Sequence, residues 1–203
     1  MGFPFHFYID VSGQPKGEVH IGLISINESD TTQLLKDAKR KYPKFMRDRQ
    51  KAAKARPEHL TSIIAYLNGR GVRMVSLRLK AANWRELLDF IGTNKQFKFE
   101  MIFAALYFCA LKKYSHYGKN YSLTVCIESF MNIDKVMGYL KVISKANGID
   151  YQISKSQARY TEMLKFADYV AAAGRKARPS NYEFFSLETL QMDEIKFYLN
   201  KLK

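Results

Sequence analysis

The sequence has few of the residues that build disulfide scaffolds or nitrogen and sulfur metal sites. Of its 203 residues, 2 are cysteines and 4 are histidines. Cys109 and Cys126 each lie in an apolar run, which predicts buried thiols in a reducing compartment and not a disulfide framework. The histidines are scattered, and neither a Cys-x-x-Cys nor a His-x-x-x-His spacing occurs. A zinc site is therefore disfavoured.

Long apolar runs are also missing. A bilayer-spanning helix needs about 20 consecutive apolar residues. The longest apolar run, Met101 to Leu111, is shorter and fits a buried helix. The opening residues lack the apolar core of a signal peptide. We therefore predict a cytoplasmic protein that has no membrane partner.

Two common catalytic motifs are absent as well. The sequence contains no Gly-Lys-Ser/Thr motif, and Gly69-Arg70-Gly71 lacks the spacing of a phosphate-binding loop. It also contains no Gly-x-Ser-x-Gly nucleophile motif. These absences argue against a nucleotide-hydrolysing motor and against a serine hydrolase.

What the chain has in excess is positive charge. It carries 33 Lys and Arg residues against 19 Asp and Glu residues, a formal net charge of +14. Such a surface attracts polyanions, because neutralising phosphates releases condensed counterions. We predict DNA or RNA as the partner. Two alternatives are a merely solvated basic surface and an acidic protein partner, and a homo-oligomer is left open.

Hydrophobic patterning predicts an α/β fold in which a mixed sheet is flanked by helices. The first strands, Phe5–Asp10 and Glu18–Ile26, form an antiparallel hairpin, and later strands alternate with helices as in a parallel unit. We expect one domain over residues 5–175, with a basic helical insertion at about 31–68. Residues 176–203 are predicted to be a basic linker and a C-terminal helix. The remaining expectations are strands at Val72–Leu79, Tyr121–Ile127 and Ile149–Ile153, one helix from Thr31 to Arg56, a helix ended by Gly174, and a last helix over Leu187–Leu202.

Three carboxylate residues lie in or directly after apolar segments, where acidic residues are uncommon. Asp10 ends the first strand, Glu128 ends an apolar strand, and Asp168 interrupts an apolar helix. Taken singly, each has an ordinary structural explanation, such as a turn cap or a partner for a nearby lysine. Taken together, they suggest a site for Mg²⁺ or Mn²⁺, because clustered carboxylates need a compensating cation. Glu18 and Glu100 are spare candidates.

Two segments carry a family resemblance. Tyr8-Ile9-Asp10-Val11-Ser12-Gly13 resembles the Asp-Glu-Ser-Gly start of a large family known only as a domain of unknown function. The segment from Leu164 to Ala172, which contains Asp168, resembles that family's closing Leu-Gln-Leu-Ala-Asp helix. The family is predicted to have a ribonuclease H-like fold, so the resemblance implies that fold over residues 5–175.

The resemblance also assigns roles. It implies that Asp10 is the first-strand metal ligand and Asp168 the late-helix ligand. Glu128 would take the mid-sheet position, as in Holliday-junction resolvases. Val11 replaces the family's second acidic residue, which leaves either a three-carboxylate site or a degenerate one. The expected function is a metal-dependent nuclease, with a catalytically inactive nucleic-acid-binding or protein-interaction module as the alternative.

Basic residues in two regions are candidates for holding the nucleic acid. One group lies in and just after the basic insertion, and the other follows Asp168 directly. The candidates are Lys39, Arg40, Arg47, Arg70, Arg73, Arg175, Lys176 and Arg178.

Overall fold

A computed structural model of the chain describes residues 5–43, 52–92, 96–114, 120–157 and 161–202. The strands are β1 (Phe5–Ser12), β2 (Val19–Asn27), β3 (Arg73–Leu79), β4 (Asn120–Cys126), β5 (Asp150–Ser156) and β6 (Phe185–Thr189). The α-helices are α1 (Glu28–Lys41), α2 (Pro57–Asn68), α3 (Asn83–Ile91), α4 (Lys98–Lys112), α5 (Ile133–Ala146), α6 (Glu162–Lys176) and α7 (Met192–Leu199). Short 3₁₀ helices cover Ala52–Lys54 and Asn200–Leu202.

The six strands form one mixed sheet in the order β5-β4-β1-β2-β3-β6. β2 pairs antiparallel with both β1 and β3, whereas β4 is parallel to β1, β5 to β4, and β6 to β3. The predicted fold class is confirmed, because a mixed sheet with antiparallel first strands and parallel later strands, flanked by helices, is consistent with a ribonuclease H-like fold.

Helices cover both faces of the sheet and enclose two apolar cores. On one face α4 is the central helix, and every residue from Met101 to Leu111 is buried. The predicted buried helix is thereby confirmed. On the other face α6 packs across β1, β2 and β3, and α2 packs against α6. No helix in the described part of the chain is both long and apolar enough to cross a membrane.

Two glycines let α6 lie unusually close to the sheet. A Cβ atom at Gly22 in β2 would stand 2.5 Å from the backbone nitrogen of Ala171 and nearer still to the carbonyl oxygen of Ala167. A Cβ atom at Gly174 would overlap the Ser76 hydroxyl. The prediction that Gly174 ends the helix is wrong: α6 continues to Lys176 because this glycine serves close packing and not termination.

Two other predictions of element boundaries are wrong. The helix expected from Thr31 to Arg56 is not continuous, because α1 ends at Lys41 and Tyr42 leaves the helical conformation with φ −129° and ψ 58°. The C-terminal segment also holds more than a helix. β6 joins the edge of the sheet, and the last α-helix begins only at Met192.

Candidate metal centre

Asp10 lies near the end of β1, on the face of the sheet that α6 covers. Successive strand residues point to opposite faces, so Ile9 and Val11 pack into the core on the α4 side while Asp10 points the other way. The Asp10 side chain is almost fully buried, at 3% exposure. Its Oδ1 accepts a hydrogen bond from the Val11 backbone nitrogen at 2.7 Å. A carboxyl group is thus held in the protein interior.

β4 brings two further donor groups to this carboxyl group. Because β4 runs parallel to β1, the two strands end at the same edge of the sheet. Cys126 is the last residue of β4, and Glu128 follows two residues later. One ligand atom from each of Asp10, Cys126 and Glu128 lies within 4.8 Å of the other two. This trio could hold a metal ion.

The electrostatics of the trio favour a bound cation. Burial raises the pKa of the Asp10 carboxyl well above its usual range, and the charges of Asp168 and Glu128 raise it further. The hydrogen bond from Val11 acts in the opposite direction but does not prevail. A divalent cation would relieve this repulsion, since opposite charge favours the ionised form of a carboxyl group.

Asp168 approaches the trio from α6. The close contact of that helix at Gly22, the register partner of Asp10 on β2, brings Asp168 near enough for its charge to raise the pKa of Asp10. Asp168 is not a member of the trio with ligand atoms within 4.8 Å. Its Oδ2 accepts a hydrogen bond from the backbone nitrogen of Ala52 at 3.0 Å. The structure therefore gathers Asp10 and Glu128 tightly, with Asp168 as an adjacent charge.

Val11 and the two spare candidates do not belong to this centre. The Val11 side chain is buried in the core on the opposite face, so a carboxylate at this position would not join Asp10 through the same face. Glu18 binds Arg78, whose Nε donates to Oε2 at 2.8 Å. Glu100 accepts a hydrogen bond from the backbone nitrogen of Asn132 at 2.9 Å. Glu100 thus binds the start of α5.

Sequence reasoning missed two residues of this neighbourhood. Cys126 was expected only as a core thiol, and it is indeed buried and not in a disulfide. Its spacing of two residues from Glu128 was the available signal, because such residues share one face of an extended chain. Tyr107 of α4 is fully buried, and burial followed by the charges of Asp10 and Glu128 raises the pKa of its hydroxyl well above the usual range. No sequence signal distinguishes it among the aromatic residues of α4.

The basic candidates that the structure describes are all exposed, and three of them, in and just after the insertion, have ion pairs with nearby carboxylates. Lys39 binds Glu162 at 2.8 Å, and Arg40 and Arg70 both face Asp37 at 3.8 and 2.5 Å. The remaining described candidates are Arg73, Arg175, Lys176 and Arg178. Arg47 lies outside the described residues.

The 3₁₀ helix at Ala52–Lys54 links the basic insertion to α6. At one end, Ala52 donates to Asp168, and just beyond the other, the Lys176 Nζ donates to the Ala55 carbonyl at 3.4 Å. The chain entering this segment comes from residues 44–51, which hold four of the basic residues of the sequence and lie outside the described residues. The insertion therefore returns to the body of the protein beside the candidate metal centre.

No known protein family matches the chain, and no curated protein is similar to it at the level that would mark a relative. Membership of the Asp-Glu-Ser-Gly family stays a prediction that rests on two short motifs.

Proposed function

We propose that the protein is a nucleic-acid-binding, metal-dependent nuclease that hydrolyses phosphodiester bonds. The observation that carries this proposal is the meeting of the buried Asp10 with the half-buried Glu128, with the charge of Asp168 beside them, in a chain of net charge +14. A negative centre within a positive protein is what a cation-assisted reaction on a polyanion requires.

The donor set fits a divalent cation. Asp10, Glu128 and Asp168 supply the carboxylate oxygens that Mg²⁺ and Mn²⁺ prefer. Cys126 adds a softer sulfur donor within the same trio. Because sulfur suits transition metals better than Mg²⁺, we expect Mn²⁺ to be bound more tightly than Mg²⁺.

In this proposal, each group of residues of the chain has a distinct role. A bound divalent cation supplies a more acidic water and stabilises the charge that develops on the phosphate. Asp10 and Glu128 hold that cation, and Asp168, fixed by the Ala52 amide, completes the negative centre. Arg175 and Lys176, at the end of the helix that carries Asp168, hold the phosphate backbone. The proposed location is the cytoplasm, where both buried thiols stay reduced.

Single carboxylate substitutions test the proposal. Asp10→Asn and Asp168→Asn keep the size of each side chain and remove its charge, and Asp89→Asn, at an exposed position of α3, is a matched control. We expect Asp10→Asn to lower cleavage of labelled single-stranded, duplex and hybrid substrates by more than about a hundredfold with Mg²⁺ or Mn²⁺, since loss of even an indirect metal partner costs about 10- to 100-fold. Asp89→Asn should cleave like the wild type.

The outcomes separate catalysis from binding alone. A wild-type protein that cuts none of the substrates, or unchanged cutting by both site variants, defeats the nuclease proposal. Titration with Mn²⁺ in the absence of nucleic acid then identifies the alternative, because an inactive binding module would show no metal affinity that depends on Asp10. An acidic protein partner would instead be indicated by negligible affinity for oligonucleotides at low salt, where phosphate contacts are strongest.

A further inference from the structure

Part of one face of the sheet is left open beside the candidate metal centre. β4 is parallel to both β1 and β5, and parallel strands are usually covered by helices on both faces. α6 covers β1, β2 and β3 on its side of the sheet. On the same side, Gln152 and Ser154 of β5 are exposed, with Ser122 and Thr124 of β4 half-buried beside them. We call these four residues the open face.

The strand register leads the open face directly to the metal centre. Cys126 lies in the core on the α6 side, so Thr124 and Ser122, at alternate positions of β4, point to that side as well. Their partners on β5 are the other two residues of the open face. The next row of the register contains Cys126, a member of the metal trio. Because two residues of a strand span about 6.6 Å, the open face begins one such step from the trio.

The open face offers hydroxyl and amide groups and no charged group. The hydroxyl oxygens of Thr124 and Ser154 lie 3.1 Å apart, at an exposed position. Ser154 can also donate to the Leu123 carbonyl at 3.3 Å. Hydroxyl and amide side chains both donate and accept hydrogen bonds. The 2′-hydroxyl group of ribose does the same, so the open face is complementary to it.

A nucleic-acid strand is the occupant that fits the position of the open face. The chain carries a net charge of +14, which attracts polyanions, and the open face adjoins a centre suited to a cation. A strand whose phosphate group reaches that cation can continue over the open face, where its sugars meet neutral hydrogen-bonding groups. Deoxyribose has no 2′-hydroxyl group, so these contacts would distinguish RNA from DNA.

We propose that the open face binds a single RNA strand through its 2′-hydroxyl groups, next to the metal centre. Thr124 and Ser154 contact the ribose nearer to the centre, and Ser122 and Gln152 contact the following one. This inference rests on the nucleic-acid binding in the proposed function, and it makes RNA the substrate class of that site. It does not depend on cleavage.

Binding of labelled single-stranded oligonucleotides in the presence of a chelator tests the inference without cleavage. The probes are RNA, DNA and 2′-fluoro RNA of one sequence built from adenine and cytosine, so that all three carry the same bases. The 2′-fluoro probe keeps a ribose-like sugar and lacks the hydroxyl donor. By fluorescence anisotropy, we expect the wild type to bind RNA at least about fivefold more tightly than either other probe, because several hydrogen bonds are lost.

A double variant removes one row of hydroxyl groups from the open face. Thr124→Val with Ser154→Ala deletes both members of the pair, so neither hydroxyl is left without the other. We expect RNA affinity to fall at least about fivefold and DNA affinity to stay unchanged. Thr189→Val with Ser186→Ala is the matched control, because it removes one threonine and one serine hydroxyl from β6, at the opposite edge of the sheet. This control should bind RNA like the wild type.

The inference is overturned if the wild type binds RNA no more tightly than DNA or 2′-fluoro RNA. This comparison needs only the wild-type protein, so it stands even if the double variant fails to fold. A folded double variant that binds RNA like the wild type, or that loses DNA affinity equally, also overturns it, as does an equal loss in the control.

Failure of the nuclease proposal gives a different result. A wild type that prefers RNA in the chelator but cuts no substrate with Mg²⁺ or Mn²⁺ defeats the nuclease proposal and supports RNA binding by the open face. A wild type that cuts nucleic acid but binds the three probes equally defeats only the inference about the open face.

Discussion

Burial raises the pKa of Asp10, and this rise makes the stability of the protein depend on pH. The native state holds the pKa of this carboxyl well above that of an unfolded chain, mainly through burial and then through Asp168 and Glu128. Between the ordinary carboxyl pKa and the raised one, the native state retains a proton that the unfolded chain has released. The free energy of unfolding contributed by Asp10 is therefore greatest at low pH and falls as the pH rises through this window.

Asp10→Asn should remove this pH dependence. In the presence of a chelator, the wild type should lose stability relative to the variant as the pH rises from the ordinary carboxyl pKa, by at most about 1.4 kcal/mol per pH unit. Denaturant unfolding at a series of pH values measures the difference. With Mn²⁺ added, the wild type should gain stability and the variant should gain little.

Asp89→Asn serves as the control for this experiment, because Asp89 is exposed. Its stability should follow the wild-type pH profile. If Asp10→Asn and the wild type have parallel profiles, then Asp10 does not titrate differently in the two states, and the buried-carboxyl account is wrong.

His20 gives the opposite pH dependence. It is buried between Ser76, 3.2 Å from its Nδ1, and Glu18, 3.2 Å from its Nε2. Burial lowers its pKa, although Glu18 acts in the other direction. As the pH falls below the ordinary value of 6.5, the unfolded chain takes up a proton before the native state does. Stability contributed by His20 is therefore lost with falling pH.

We expect His20→Gln to flatten the stability profile below that pH, again by at most about 1.4 kcal/mol per pH unit. His59→Gln, at an exposed position, should keep the wild-type slope. Equal slopes for the wild type and His20→Gln, measured by denaturant unfolding, would contradict a neutral buried imidazole.

The sequence identified Asp10 and Glu128 because each carboxylate follows a run of apolar strand residues. It did not identify Tyr107, because one more aromatic residue in an apolar helix is indistinguishable from ordinary core. What distinguishes Tyr107 is that, besides its burial, the charges of Asp10 and Glu128 raise the pKa of its hydroxyl. That property depends on elements far away in the chain, so local patterning does not show it.

At the scale of elements, the seating of α6 on the sheet brings Asp168 towards Asp10. Gly22→Ala would force the Cβ atom into the backbone of α6 at Ala167 and Ala171. Since backbone atoms cannot move aside as a flexible side chain can, we expect a loss of about 1–3 kcal/mol in the free energy of unfolding. Thermal unfolding measures this loss, and Mn²⁺ affinity should fall with it because Asp168 is displaced.

Gly138→Ala is the matched control, because a Cβ atom at this helical position meets nothing within 4 Å. Alanine there should leave stability unchanged or raise it by up to about 1 kcal/mol. A Gly22→Ala variant as stable as Gly138→Ala would show that α6 is not held at the sheet by backbone contact.

Elements with strong periodicity were predicted well, and those defined by distant contacts were not. The strand expected over Val72–Leu79 was predicted almost to the residue, since β3 spans Arg73–Leu79. β6 was missed because it is a five-residue edge strand whose alternation is weak and whose pairing with β3 is remote in sequence. Gly174 reads as a helix end in the sequence, yet the side chain of Ser76 requires it inside α6.

At the scale of the whole molecule, the affinity for nucleic acid should depend on where the positive charges lie as well as on the net charge. Affinity for nucleic acid falls with salt, because each phosphate contact releases counterions. In a plot of the logarithm of the binding constant against the logarithm of the salt concentration, each contact contributes about 0.7 to 0.9 to the magnitude of the slope. Replacing Arg175, Lys176 and Arg178 together with glutamine should reduce the slope by about 2 to 3, because all three follow Asp168 on or just after α6. Fluorescence anisotropy with a labelled oligonucleotide at several salt concentrations measures this slope.

The control removes the same charge from the other face of the molecule, at Arg85, Lys141 and Lys145, which are exposed on α3 and α5. If the bound nucleic acid runs past the metal centre, this second triple variant should keep the wild-type slope. It should lose affinity only through the weaker long-range attraction. Equal slopes in the two triple variants would mean that the chain attracts nucleic acid through its net charge alone. The basic end of α6 would then have no part in placing a phosphate beside Asp10.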